Sequence, residues 1–131
     1  MRQMDQIVLR IPAKPEYVMV VRLTASSIAC RVDFCMDDIE DLKVAAAEAC
    51  IMLMHQKYKA ENLEICFSLQ PRESLKIDIE VDQFDTCKEI SITEKKNELG
   101  YFIVKALMDE VDIKSDEDVI KRISMYKKCG G

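Results

Sequence analysis

The chain has no tryptophan, one histidine, three glycines and three prolines in 131 residues. So little glycine and proline leaves no room for long disordered linkers, and 49% apolar with 33% charged residues is the composition of an ordinary folded domain. No run approaches the roughly 18 consecutive apolar residues of a membrane-spanning helix. Residues 1–11 carry Arg2, Asp5 and Arg10 where a signal peptide needs an apolar stretch. The expectation is a cytoplasmic protein with no membrane association. The six cysteines, at 30, 35, 50, 66, 87 and 129, include no CxxC pair, and with His55 as the lone histidine no zinc-ligand spacing is present. Cys30, Cys50 and Cys66 lie in apolar periodic segments, which favours buried thiols in a reducing compartment over a disulfide scaffold. Positive charge is also scarce: 19 Lys and Arg against 24 Asp and Glu give a net charge of -5. A direct nucleic-acid binder is thereby disfavoured, because non-specific grip on phosphates depends on basic side chains displacing counterions.

What is present suffices for one core, since a chain of this length buries about two-thirds of its unfolded surface on folding. Residues 1–131 read as a single domain, with 129–131 as a flexible tail. Alternation over Gln6 to Ile11 predicts a strand, stopped by Pro12, and Pro15 suits the first turn of a helix. Helical spacing of Tyr17, Val20, Val21, Thr24, Ile28 and Val32 predicts a buried stripe ending near Asp33 and leaves Glu16, Arg22, Ser26 and Arg31 off it. A second helix starts from an N-cap at Asp37 or Asp38 and runs toward Tyr58, with Ile39, Leu42, Ala46, Ala49 and Leu53 buried. Leu63–Leu69 and Leu75–Val81 read as a hairpin. Residues 82–97 read as a loop-rich connection, Leu99–Met108 as a helix, and Glu110–Lys114 with Val119–Tyr126 as a closing antiparallel pair. Met52 and Met54 read as core filler, and His55 as a surface or half-buried helix residue.

Several segments resemble one family. Ile11-Pro-Ala-Lys-Pro-Glu-Tyr-Val, Arg22-Leu-Thr, Asp38-Ile-Glu-Asp-Leu-Lys-Val, Glu48-Ala-Cys and Ala106-Leu-Met-Asp-Glu-Val are similar to the RsbW and SpoIIAB anti-sigma factors, a serine-protein kinase branch of the GHKL ATPase superfamily. The likeness is specific through Tyr58, weak over residues 60–98 and good again to the last strand. It implies a two-layer α/β sandwich of the GHKL (Bergerat) type, with helices on one face of a mixed, mainly antiparallel sheet. It also implies a homodimer that binds an alternative sigma factor and an anti-anti-sigma (STAS-type) protein, and uses ATP and magnesium to phosphorylate the latter. In that comparison Arg22 matches a first-helix arginine that contacts both partners. Glu16 goes with it as a partner-binding residue.

The same resemblance maps an ATP site with three departures. Glu48 matches the general base that takes a proton from the attacking serine, but the asparagine expected one helical turn on, whose oxygen holds magnesium, is Met52. A thioether is a poor ligand for a hard cation that wants oxygen. Asp82 matches the adenine-binding aspartate, yet the glycine due two residues later is Phe84, where backbone must pass close to the base. The phosphate-side Gly-Leu-Gly reads Glu98-Leu99-Gly100, which sets a carboxylate where an anion should be welcomed. The expectation is a binding protein that needs no cofactor, with Glu48, Asp82 and Gly100 vestigial and a pocket collapsed or filled by Met52 and Phe84. The alternatives are an active serine kinase with an altered ATP site, and a scaffold that pairs with an active paralogue. Bland readings stand beside these: Glu48 as an ordinary polar residue, Asp82 as a plain turn residue and Glu98 as an early-helix acid.

Overall fold

Apolar residues at odd positions decide which way the sheet faces. In the computed structural model, which describes residues 4–89 and 94–130 (of 88, 89 and 94–97 the backbone alone), β3 (Asn62–Gln70) pairs with β4 (Ser74–Val81). Leu63, Ile65, Phe67 and Leu69 stand opposite Val81, Ile79, Ile77 and Leu75, all of them buried. β7 (Val119–Lys128) continues the layer by setting Ile123 and Met125 against Ile79 and Ile77. Period-two alternation thus builds one apolar face. On the other face Glu64 meets Glu80 and Ser68 meets Lys76.

β1 (Asp5–Pro12) adds to β3 and β6 (Glu110–Asp116) adds to β7, giving the order β1-β3-β4-β7-β6. Every described pairing is antiparallel, so the parallel member of a mixed sheet is not found. The reason is connectivity: α1 (Val18–Val32) and α2 (Met36–Met54) lie between β1 and β3, and each successive element reverses direction. A 3-10 turn at Pro15–Tyr17 leads into α1, with Pro15 where its fixed φ is already suited to a helix. α1 ends at Asp33, whose φ of 75° is left-handed and whose amide closes onto the Ala29 carbonyl. Small residues let the helices approach: Ala25 and Ala29 of α1, and Ala45, Ala46, Ala47 and Ala49 of α2, are all buried. α3 (Glu94–Leu107) packs beside α2.

Several expectations are corrected. The buried stripe of α1 is Val18, Val21, Ala25, Ile28, Ala29 and Val32, while Tyr17 and Val20 are exposed. Close packing on α2 selects the alanines, and this rotates the buried face toward Arg22, which is half-buried. Cys30 is exposed; Cys50 is buried, and burial pushes its thiol up to about 12, so it stays protonated. All six cysteines are free thiols. The N-cap of α2 is Cys35, with Asp37 and Asp38 in the first turn beside the positive end of the dipole. Residues 82–97 are not mainly loop: β5 (Phe84–Glu89) pairs with β2 (Tyr58–Ala60), which extends the β3–β4 hairpin, and α3 starts at Glu94. Residues 90–93 of that expected connection lie outside the described residues.

Two polar side chains tie α2 to β7. Gln56, just past the end of α2, donates from Nε2 to the Ile120 carbonyl (2.8 Å) and accepts from the Ile120 amide (2.6 Å), as a strand neighbour would. At the other end buried Lys127 donates to the Leu107 carbonyl (2.7 Å), stands 3.8 Å from Asp38, and so joins β7 to the end of α3 and the start of α2. Cys129 is held beyond the last strand by its amide on the Glu73 carbonyl (2.7 Å).

Candidate functional site

Glu48 and Met52 stand one turn apart on α2 and therefore share a face. That face meets α3 at Gly100. A Cβ placed on Gly100 would lie 2.9 Å from Met52 Cγ, 3.3 Å from Met52 Sδ and 3.5 Å from Glu48 Oε2. Glycine is needed here for close approach rather than for backbone freedom, because its φ is ordinary. Met52 is 3% exposed, so its side chain is wedged between the two helices. Gly100→Ala gains about 1 kcal/mol of helix propensity but forces Met52 to move in a packed site, at about 1–3 kcal/mol. The expected outcome is a net loss of about 1 kcal/mol in urea unfolding, and in a Met52→Ala background, which has its own cavity cost, adding Gly100→Ala should no longer destabilise. A stabilised single variant would show that the helices do not meet this tightly.

Beside this contact a cavity of about 300 Å³ remains. Glu48, Ile51, Met52, Met54 and His55 line it from α2 and its C-cap, Leu99, Gly100 and Ile103 from α3, and Pro15 from the turn before α1. The pocket is thus narrowed by Met52 but not collapsed. Met54 is buried and His55 half-buried, as the sequence implies.

The other mapped residues do not converge on it. Asp82 forms an ion pair and hydrogen bond with Arg10 of β1, is exposed, and does not line the cavity. Its carboxylate is committed there because the hairpin continues past β4: the Asp82 amide bonds Asn62, and Glu61 bonds Gln83. Phe84 sits on β5 opposite Ala60, packed half-buried against the core and away from the cavity. Glu98 is exposed, and it does not begin a helix: α3 opens at Glu94, so Glu98, Leu99 and Gly100 lie past the first four residues, whose amides alone are free. A phosphate cradle at Gly100 would need amides already used within the helix.

Met19, Val20 and Leu23 form an exposed stripe on α1, and exposed Glu16 stands just before it in the 3-10 turn. Arg22 flanks the stripe, and its Nε is buried with no hydrogen-bond partner among the described residues.

Leu99 and Ile103, at i and i+4 about Gly100, are cavity residues that the sequence reading passed over; their helical spacing around a glycine was the available signal. A larger concavity, about 660 Å³, lies by Lys76, Asp112, Lys114 and Arg122 on the opposite sheet face. There charges of both signs meet one another, with Arg122 3.4 Å from Asp78 and Ser124 bonded to the same carboxylate, and none of the mapped site residues is present. Among the described residues no cluster of three or more His, Cys, Asp and Glu could hold a metal, and no helix is long and apolar enough to cross a membrane.

Helices layered on one face of an antiparallel sheet, with Glu48 at a cleft between α2 and α3, define a histidine kinase-like ATPase domain, and residues 11–127 match that family. Within it the chain belongs to the RsbW-type branch. It is 34% identical to the serine-protein kinase RsbW of Bacillus licheniformis, over 96% of this chain and 87% of that protein. It is 32% identical to the serine-protein kinases RsbW of Bacillus cereus (strain Q1) and of Bacillus thuringiensis subsp. konkukian, over 96% of this chain and 88% of each.

Proposed function

We propose that this protein is a cytoplasmic anti-sigma factor, a homodimer that binds an alternative sigma factor, an anti-anti-sigma protein of the STAS type, or both, without using ATP. The observation that supports the loss of ATP chemistry is the Met52 side chain packed on Gly100. At that place a magnesium ion would need an oxygen, and the residues present do not fit one: Glu48 supplies a single carboxylate and Met52 a thioether. Retained Glu48, facing a cavity, favours the second reading of an active kinase with an altered site. The two part in one assay, in which the protein, Mg-ATP and a candidate anti-anti-sigma protein are incubated together. Complex formation without phosphate on the partner's serine supports the first reading, and phosphate transfer establishes the second.

Arg22 is the partner contact we expect to carry most energy. Arginines in such positions often cost about 2 kcal/mol or more when truncated. Arg22 is half-buried beside exposed Met19, Val20 and Leu23, and the exposed part of its guanidinium is what a sigma-factor carboxylate could accept from. Arg22→Ala should weaken sigma-factor binding at least about tenfold while the melting temperature changes little, since the packing lost from a half-buried stem is offset by removal of a buried donor without a partner among the described residues. Unchanged affinity with an unchanged melt would remove the partner-surface argument and favour a scaffold that pairs with a paralogue.

A further inference from the structure

The helices cover one face of the sheet and leave the other to water. Because Leu63, Ile65, Ile77, Ile79, Ile123 and Met125 turn inward, the even-numbered residues of the same strands make up the outer face. Across the strands, the charges on that face are sorted by sign. Glu64 of β3 stands beside Glu80 of β4, and Arg122 of β7 beside Lys114 of β6, all four in one row. Like charges directly opposite one another destabilise a sheet, and this row has two such pairs. Among the described residues Glu64, Glu80 and Lys114 make no ion pair, and Arg122 reaches only Asp78, at 3.4 Å. Arg10, at the end of the row, is held by Asp82.

The next two rows complete the pattern. From β3 to β6 one runs Cys66, Asp78, Ser124 and Asp112, and the other Ser68, Lys76, Tyr126 and Glu110. Asp78 is engaged within the chain by Ser124 and Arg122, with Lys76 4.0 Å away. A patch with acids on one half and bases on the other matches itself after a half-turn about an axis through its middle, which is the relation between two copies in an isologous dimer.

We propose that two copies of this chain stack their outer sheet faces about an axis running along the strands between β4 and β7. The half-turn lays β7 of one copy over β4 of the other and β6 over β3. Arg122 then faces Glu80 and Lys114 faces Glu64, each contact occurring twice. Lys76 faces the Tyr126 ring as a cation–π pair, Asp78 faces Ser124, Asp112 faces Cys66 and Glu110 faces Ser68. One row further on, Lys128 faces Ser74, so no charge in these rows meets its like. An axis across the strands is worse: along the middle row it lays Asp78 and Asp112 on their own copies, and along the first it does the same to Glu64, Glu80, Arg122 and Lys114. The concavity of about 660 Å³ lies over β6 and β7 with Lys114 and Arg122 in its lining, so it receives the exposed Glu64 and Glu80 of the other copy. Stacked sheets cross at about 30°, which at β6, about 7 Å from the axis, displaces a residue by about 4 Å, within the reach of a lysine. The inference rests on the reading of the protein as a homodimer and adds the face that joins the copies.

Equilibrium sedimentation of the full chain measures the dimer constant. Lys114→Glu and Glu64→Lys, both on exposed side chains, should each weaken the dimer at least about tenfold, since each sets like charges together at both copies of the contact. Mixed in equal amounts, the two variants should associate as tightly as the unaltered protein, to within about threefold, because each offers the charge that the other lacks. Within one chain residues 64 and 114 lie three strands apart, about 14 Å, so this rescue reports on contacts between copies. Melting temperatures of the variants, measured where they are monomeric, should not fall. A dimer unmoved by either change, or one weakened by both and not rescued by mixing, would overturn the proposal and leave the homodimer reading in place. A monomer at every concentration up to about 1 mM would overturn the homodimer reading first, and this inference with it.

Discussion

Titration of the protein with Mg-ATP will give no saturable heat at nucleotide concentrations up to about 1 mM, a limit equivalent to about -4 kcal/mol of binding. Three features lead to this. The turn of α2 that should offer an oxygen to the metal offers Met52, whose sulfur lies 3.3 Å from a Cβ position on Gly100 and so occupies the helix interface. Asp82, the mapped adenine partner, is engaged with Arg10 outside the cavity. Gly100 lies inside α3, where its amide serves the helix rather than a phosphate. Met52→Asn alone should therefore restore neither binding nor transfer. It would place an amide at a site 3% exposed among apolar neighbours, where an unpaired polar group costs about 1–3 kcal/mol, and would leave the other two features untouched. Recovery of phosphate transfer by that single change would show that neither the engagement of Asp82 with Arg10 nor the place of Gly100 inside α3 is an obstacle.

The largest expected loss of stability comes from Gln56→Ala. The carboxamide is 3% exposed and holds both polar groups of Ile120, with a further donor contact to the Leu53 carbonyl at 3.3 Å. Removing it leaves the Ile120 amide and carbonyl without that partner in a part-buried position. Each orphaned group costs about 1–3 kcal/mol, so the total is about 3 kcal/mol, a large share of the 5–15 kcal/mol of a typical domain. For a chain of this size that is about 10 °C in melting temperature. Gln56→Asn, one methylene shorter, cannot span to β7 and should recover little. A loss below about 1 kcal/mol in denaturant unfolding would mean that α2 and β7 are joined by packing alone.

Much of the fold was legible because the two periodicities are clean where they matter. Residues 63–69 and 75–81 alternate without interruption, and both helices that precede them carry apolar residues at helical spacing. The α1 stripe was misplaced because Tyr17 and Val20 fit the same spacing as the true stripe, and side-chain size gave the wrong order. A tyrosine offers far more apolar surface than an alanine, yet Ala25 and Ala29 are what let α1 lie against α2. β2 and β5 escaped notice because three residues, Tyr58–Ala60, are too few to show a period, and because their pairing partner is distant in the chain.

The site divides in the same way. Residue chemistry alone identifies Glu48 as a carboxylate at the base's place and Met52 as a ligand unsuited to magnesium, since both judgements depend on what the atoms are. Where those atoms point is another matter. That Met52 closes on Gly100, that Asp82 turns to Arg10 and that Gln56 stands in for a strand edge are contacts between residues 48, 72 and 64 positions apart. Periodicity reports which side of an element is apolar, so the sequence by itself determined the layers and the order of the elements other than β2 and β5. Only the tertiary structure decided which polar groups meet, because that depends on the register and rotation of packed elements, and a shift of one residue or a third of a helical turn exchanges one neighbour for another.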